Sequence, residues 1–338
     1  MEAAVTTLWD TTGTEVVQAL AAERRSAGAL AFGLVLTLIV VTDEKRVAEA
    51  EAAATTAAAA HPCRLLVVVR RQILEAQQPR LDAEVLIGGR LGPGESVVMR
   101  MYGRLALHAE SVVLPLLAPD APVVTWWHGD APEKIAYDPL GVLAGRRVTD
   151  SFTAEDPLAA LRTRAEDYAP GDTDLAWPRI TWWRGLLAAA FDTVEEAPTG
   201  GRVIAEANDP SACLLAGWLG GRLGTTIDVQ NDGGEGIREV QVDLGEAAPL
   251  RVVRRDSRTA TISREGRPDR IMPLGERDLG DLLAEELRRL ETDQPYAESL
   301  ARWSGVSGLD RRSPTRTHIW RDPAQEAAAE ASHEGASA

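Results

Sequence analysis

Two carboxylates, two arginines and three tryptophans crowd into one twenty-residue stretch, Gly171 to Ala190, which reads GDTDLAWPRITWWRGLLAAA. Paired carboxylates could share a proton-transfer task. Asp172 and Asp174 stand only two residues apart, however, so on a regular helix they would point away from each other. Their expected role is to cap, and to complement the dipole of, the helix that carries Trp182 and Trp183. Pro178 cannot donate a backbone hydrogen bond, which places a turn or first helical turn at Asp174 to Trp177 and a regular helix onward through Phe191. On that helix Ile180, Trp183 and Leu187 share a face. Tryptophan and arginine are the residue types that concentrate binding energy at interfaces. The expected contact set is therefore Asp172, Asp174, Trp177, Arg179, Trp182 and Arg184. Trp126 and Trp127, from VVTWWHGDAP, join it, with one of the two expected to face inward because side chains alternate along a strand.

A second cluster runs from Arg251 to Arg270, with seven arginines in twenty residues. Asp256 and Ser257 can turn a hairpin there. Arg251, Arg254, Arg255 and Arg258, if they share one ribbon face, would hold a phosphate or another oxyanion. The competing expectation is a solvated hairpin whose arginines pair with Asp256, Glu265 and Asp269, pairs worth only ~0–1 kcal/mol each. Both expectations stand level.

Other chemistries lack their residues. His61, His108, His128, His318 and His333 are scattered, with neither an HExxH nor a cysteine–histidine spacing, so no metal is expected. Cys63 and Cys213 lie far apart without a second cysteine near either, and each reads as a small buried hydrophobe. No GxSxG occurs. The GGRLGPG segment lacks the lysine and hydroxyl residue of a P-loop and sits between two strand candidates, which reads as a hairpin turn. No GxGxxG opens a helix, so no dinucleotide and no cofactor is expected.

The elements that must position these residues follow from periodicity. Thr14 to Arg25 is an amphipathic helix. Leu34 to Val41 is a strand, Asp43 is expected to cap an alanine-rich helix ending at Ala60, and Leu65 to Val69 is the next strand. That order favours parallel pairing. Ala83 to Ile87, Ser96 to Tyr102 and Val123 to Trp127 add strands, and a helix follows Ser151 with Leu158, Leu161, Ala165 and Tyr168 on one face. Val203 to Ala205, the helix from Pro210 to Leu223 and Thr226 to Val229 form a second βαβ unit. Asp209 at the N-cap, Pro210 behind it and Gly224 past the end set that helix's bounds. A last helix covers Leu279 to Leu290, with Leu282, Leu283, Glu286 and Leu287 on its buried stripe. The expected fold class is α/β, turning α+β in the C-terminal half. It comprises an N-terminal domain (1–150) with a mixed or parallel sheet, a helical junction with a smaller α/β domain (151–303), and a disordered tail (304–338).

The chain has 338 residues, enough for two cores, and a net charge of −15 that repels nucleic acid and anionic lipid. Its longest apolar run, Leu34 to Val41, is far short of the ~20 residues that cross a bilayer. With Glu2, Asp10 and Glu15 preceding any arginine there is no secretory leader pattern, and a cytoplasmic location is expected.

In order along the chain, the segments GLVLTLIVVTD (33–43), HPCRLLVVVR (61–70), VVTWWHGDAP (123–132), the signature at 171–190 and DPSACLLAGWLGGRLG (209–224) resemble those of the OpcA family, the glucose-6-phosphate dehydrogenase assembly proteins. The resemblance covers most of residues 1–303. It implies a non-catalytic regulator that binds that dehydrogenase and promotes its active oligomer or conformation. Leu34 departs from the family pattern, which has an arginine there. The alternative from the residues alone is a sugar-phosphate or NADP-binding sensor or enzyme that uses the arginine hairpin, with Asp172 or Asp174 as a general base.

Overall fold

A computed structural model describes residues 5–27, 34–71, 78–88, 94–192 and 194–313. The apolar runs become the strands of an eight-stranded sheet: β1 (Val5–Leu8), β2 (Leu36–Thr42), β3 (Cys63–Arg70), β4 (Arg80–Ile87), β5 (Glu95–Tyr102), β6 (Val123–Trp127), β7 (Arg146–Thr149) and β8 (Asp172–Asp174). Their spatial order is β1-β4-β5-β3-β2-β6-β7-β8. From β5 to β8 every neighbouring pair is parallel, while β4 runs antiparallel to both β5 and β1. Taken in chain order, the six parallel strands lie 3-2-1-4-5-6, the doubly wound arrangement of Rossmann domains.

Helices close both faces of this sheet. On one side α1 (Gly13–Ala27) sets Val16 and Leu20 against Ile39, Val41 and Val68, alongside α3 (Ala109–Val113) and α4 (Pro139–Val142). On the other, α2 (Val47–Ala60) lays Ala50, Ala54 and Ala57 on Leu38, Val40 and Val67. A sheet covered twice explains why β2 and β3 read as near-continuous apolar runs. It also buries Trp126 and Trp127 together, one toward each helix layer, where alternation had left one of them free. Asp43 accepts from the backbone N–H of Lys45 and Arg46 in the turn before α2, and so ties that turn, not the helix's first residues.

α5 (Pro157–Asp167) leads from β7 to β8; α6 (Ala176–Arg179) and α7 (Thr181–Phe191) follow, broken at Ile180. Five further strands and α8 (Pro210–Leu223) build the second sheet: β9 (Gly200–Ala205), β10 (Ile227–Asn231), β11 (Ile237–Leu244), β12 (Ala247–Arg254), β13 (Thr259–Ser263), with β14 (Arg270–Pro273) at its edge. Its order is β10-β9-β11-β12-β13-β14, with only β9 and β10 parallel across α8. Asp209 accepts from the N–H groups of Ser211 and Ala212, and Gly224 ends α8 in the left-handed region, as the sequence signals predict. One face of this sheet, through Val203, Val240, Val252 and Ile262, packs beneath α7 and α8.

The two sheets are laced together. β8 joins the first sheet from beyond residue 150. α9 (Leu279–Leu287) returns to pack Leu282, Leu283 and Leu287 against α2, and α10 (Gln294–Ser304), a helix that periodicity did not reveal, lies on α8. Residues 304–313, expected in the tail, remain ordered enough to bury Leu309 in the second core; the rest of the tail lies outside the described residues.

Candidate functional site

The signature begins as an edge strand. Arg147 donates its backbone N–H to Gly171 O and Leu175 donates to Thr149 O, which fixes β8 against β7. Gly171 has φ +97°, and a Cβ there would overlap the Gly145 carbonyl oxygen, so only glycine fits. Asp172 and Asp174 therefore lie on a strand, two residues apart on the same side, not at the start of the helix that carries Trp182 and Trp183. Both are buried. Asp172 pairs with the Arg147 guanidinium and accepts from Ala169 N–H; burial pushes its carboxyl up to about 6, with Arg147 opposing. Asp174 accepts from Thr149 Oγ1, Ser151 N–H, Ser151 Oγ and Ala176 N–H at 2.7–3.0 Å. A carboxylate with four donors is structural: it joins β7, β8 and the start of α6.

Around this strand the two halves of the chain meet through buried polar contacts. Arg146 pairs with Glu286 of α9 and donates to Glu291 O at 2.8 Å. Trp177 is buried and donates from Nε1 to Asp293 Oδ2 at 2.9 Å, with Tyr296 packed against its ring. Arg184 lies over the Trp177 ring, 3.8 Å from its centroid, and donates to Thr181 Oγ1, which in turn donates to Glu285. Burial lowers the Arg184 pKa, opposed first by Asp293. Arg179 reaches the other way, to Asp150 at 2.9 Å, and covers the Phe152 ring at 4.7 Å. Asp150 is pushed up to about 6 by burial, against the pull of Arg179.

Little of the signature reaches solvent. Asp172, Asp174, Trp177, Trp126 and Trp127 are buried; Arg179 and Arg184 are half-buried. Trp182 is 43% exposed, seated beside Gly275, and the exposed Gly185 and Ala188 continue its side of α7. Trp183 is core. Phe152, 38% exposed beside Arg179, belongs to the same region and carried no signal in the sequence beyond its apolar side chain. The junction is thus a polar knot, with Trp182 exposed and the Arg179 and Arg184 guanidinium groups partly covered.

The arginine hairpin forms as expected, with Arg254 opposite Ala260. Its arginines do not share a face. Arg251 and Arg254 are three residues apart on β12, so they project to opposite sides: Arg251 pairs with Glu239 on the open face, and Arg254 faces Trp183 beneath α7. Arg255 and Arg258 are exposed at the turn, where Asp256 spends its carboxylate on the Arg258 and Thr259 N–H groups and Thr259 Oγ1. The oxyanion cradle expected of the four is not assembled.

A doubly wound sheet places dinucleotides at the turn after its first parallel strand. Here that turn, Thr42 to Val47, contains no glycine. The Asp43 carboxylate occupies the N–H groups that would face a pyrophosphate, Arg46 closes on it at 2.6 Å, and a Cβ on Gly129 across the crevice would meet the Arg46 guanidinium. The residues do not fit a dinucleotide. Among the described residues no group of three histidine, cysteine or carboxylate side chains could hold a metal, and no helix is long and apolar enough to cross a membrane. Both cysteines are buried, their thiols pushed up to about 12.

Fold and junction together define a two-sheet α/β protein whose first sheet has Rossmann topology and a nucleotide turn closed by its own ion pair. Comparison with known proteins is more specific. Residues 54–166 match the N-terminal domain, and residues 170–300 the C-terminal domain, of the family described as "Glucose-6-phosphate dehydrogenase subunit". The chain belongs to the OpcA family of glucose-6-phosphate dehydrogenase assembly proteins. It is 28% identical over 200 residues to the "Putative OxPP cycle protein OpcA" of Synechococcus elongatus, covering 55% of this chain and 41% of that one, so it spans about two fifths of that relative. Among solved structures, an oxidoreductase from Sinorhizobium meliloti is similar at 12% identity and TM-score 0.40, over 83% of this chain and 91% of that one. A UDP-N-acetylglucosamine 3-dehydrogenase from Acidithiobacillus ferrooxidans is similar at 12% and 0.36, over 80% and 96%. Likenesses this distant carry no argument about activity.

Proposed function

We propose that this chain is a non-catalytic assembly factor and allosteric activator of glucose-6-phosphate dehydrogenase. It binds that enzyme in the cytoplasm and promotes its active oligomer or conformation in the oxidative pentose phosphate pathway. The observation that carries the reading is the pair of family matches, which run across both domains and the junction between them. In this reading Trp182, Arg179 and Arg184 make the contact. Asp172, Asp174 and Trp177 hold them in place from beneath.

A partner activates an enzyme only by binding its active state better than its inactive one, and ~1–3 kcal/mol of such coupling gives roughly 5- to 150-fold. The anchor for such coupling is a rigid surface, because ordering a mobile one would subtract from the coupling. The knot beneath Trp182 supplies that rigidity. The test is to titrate this protein into purified glucose-6-phosphate dehydrogenase from the same organism, following initial rate together with complex mass by light scattering. Saturable activation with a heavier complex is expected; no complex and no rate change would overturn the reading.

A further inference from the structure

Arg164, on α5, is a buried cation with no carboxylate in hydrogen-bond contact among the described residues, while Asp167, Asp174 and Asp172 act on it through space. Its residue is 7% exposed. Nη2 donates to Pro132 O at 2.7 Å and Glu133 O at 2.9 Å, whereas Nη1 has no hydrogen-bond partner. Among the described residues it forms no ion pair, unlike Arg146 and Arg147 nearby, each of which is matched by a buried carboxylate. Burial lowers its pKa, with Asp167 the largest opposing influence. Removing a charge from water costs several kcal/mol, and two neutral carbonyls do not return it.

The guanidinium borders a cavity of about 180 Å³ that is also lined by Gly129, Ser151 and Ala160. This cavity opens past the C-terminal ends of β6 and β7, one strand away from the closed nucleotide turn. Crevices outside the carboxyl ends of parallel strands are where such sheets bind their ligands. Three carboxylates border it as well. Asp150 is committed to Arg179 and to Phe152 N–H, and the side chains of Asp130 and Glu133 stand in solvent, where water and salt screen them. Ser151 has already given its hydroxyl to Asp174. The unspent group facing the space is thus a cationic N–H donor.

We propose that this cavity is a binding site for a phosphate-sized oxyanion, free or as the phosphate of a small sugar phosphate, held by a charge-assisted hydrogen bond from Arg164 Nη1. The space is too small for a dinucleotide, which agrees with the closed turn beside it. The site needs no partner protein, so its test on the isolated chain does not depend on the assembly role.

The test uses the isolated full chain. Thermal unfolding is followed against inorganic phosphate at constant ionic strength set with chloride, and separately against glucose 6-phosphate. Parent protein should show a saturable rise on the order of 2–4 °C, because a ligand that binds only the folded state stabilises it by mass action. Arg164→Gln should abolish the rise. Ala160→Leu, which fills the cavity from a half-exposed helix position and leaves Arg164 in place, should do the same, and it decides the matter if Arg164→Gln fails to fold. A rise with glucose 6-phosphate alone would identify a sugar phosphate as the source of the anion, and a rise with both a free phosphate. No saturable rise with either, or a rise that persists in the cavity-filled variant, would overturn the proposal.

Discussion

Removal of the Trp182 side chain should weaken binding to the dehydrogenase far more than it weakens the fold. Trp182 leaves 43% of its surface in solvent. For a side chain of up to ~250 Å² that is roughly 105 Å² of mostly apolar area open to a partner. At ~25 cal/mol per Å², covering it contributes about 2–3 kcal/mol, so Trp182→Ala should raise Kd by roughly 30- to 150-fold. Trp182→Phe should retain most of the affinity.

The control is Trp9, the most exposed tryptophan among the described residues at 69%. It follows β1, at the opposite edge of the eight-stranded sheet from β8. Seven inter-strand steps of ~4.8 Å put the two edges about 30 Å apart. Trp9→Ala should leave Kd within twofold of the parent. Isothermal titration calorimetry measures both variants, and the concentration for half-maximal activation should move with Kd. A Trp182→Ala protein that keeps its melting temperature and binds within twofold of the parent would refute the placement of the interface, and loss of binding in Trp9→Ala would move the interface to the other edge.

Three more expectations concern the junction and its neighbours. Asp150 has a folded-state pKa of about 6, raised above the unfolded value near 4, so the folded state takes up the proton more readily and stability should rise as pH falls from about 7.5 to 5. Asp172 adds in the same direction; Asp150→Asn should flatten part of the slope, by about 1–2 kcal/mol in urea-derived stability, and an unchanged slope would count against it. Gly171→Ala combines a positive φ with overlap onto Gly145 O and should cost on the order of 3 kcal/mol or more, seen as a lowered urea midpoint or insoluble protein; a wild-type midpoint would show that β8 can slip. NADP and NAD should leave the melting temperature unchanged at millimolar concentration, since Asp43 and Arg46 close the nucleotide turn, and a saturable shift with either would refute that closure.

Much of the fold could be read from local signals, because those signals agree with the long-range packing. Asp209, Pro210 and Gly224 bound α8 in the structure as in the sequence, and the apolar runs of β2 and β3 are strands buried on both faces. The errors came where tertiary context overrode a local pattern. Asp172 and Asp174 suit a helix cap, but Arg147, Thr149 and Ser151, all more than twenty residues away, recruit them into a strand. The same distance effect hid Arg164. An arginine on an amphipathic helix looks like a solvated charge until the Pro132 and Glu133 carbonyls, about thirty residues upstream, are folded over it.

The burial of the signature changes what its residue types mean. Composition made the segment resemble a recognition surface, yet most of its charged and aromatic atoms are spent within the chain, on Arg147, Asp293, Asp150 and Thr149. Breaking one partner of a buried pair such as Arg146 and Glu286 costs about 3–5 kcal/mol, so this arrangement resists displacement of α9 from β7. A regulator that acts by choosing between two states of its partner gains from that stiffness, because any compliance at the contact dissipates the difference in affinity on which the choice depends. In the proposed reading the polar knot and the exposed Trp182 are two parts of one device: the first fixes the geometry, and the second supplies the contact area.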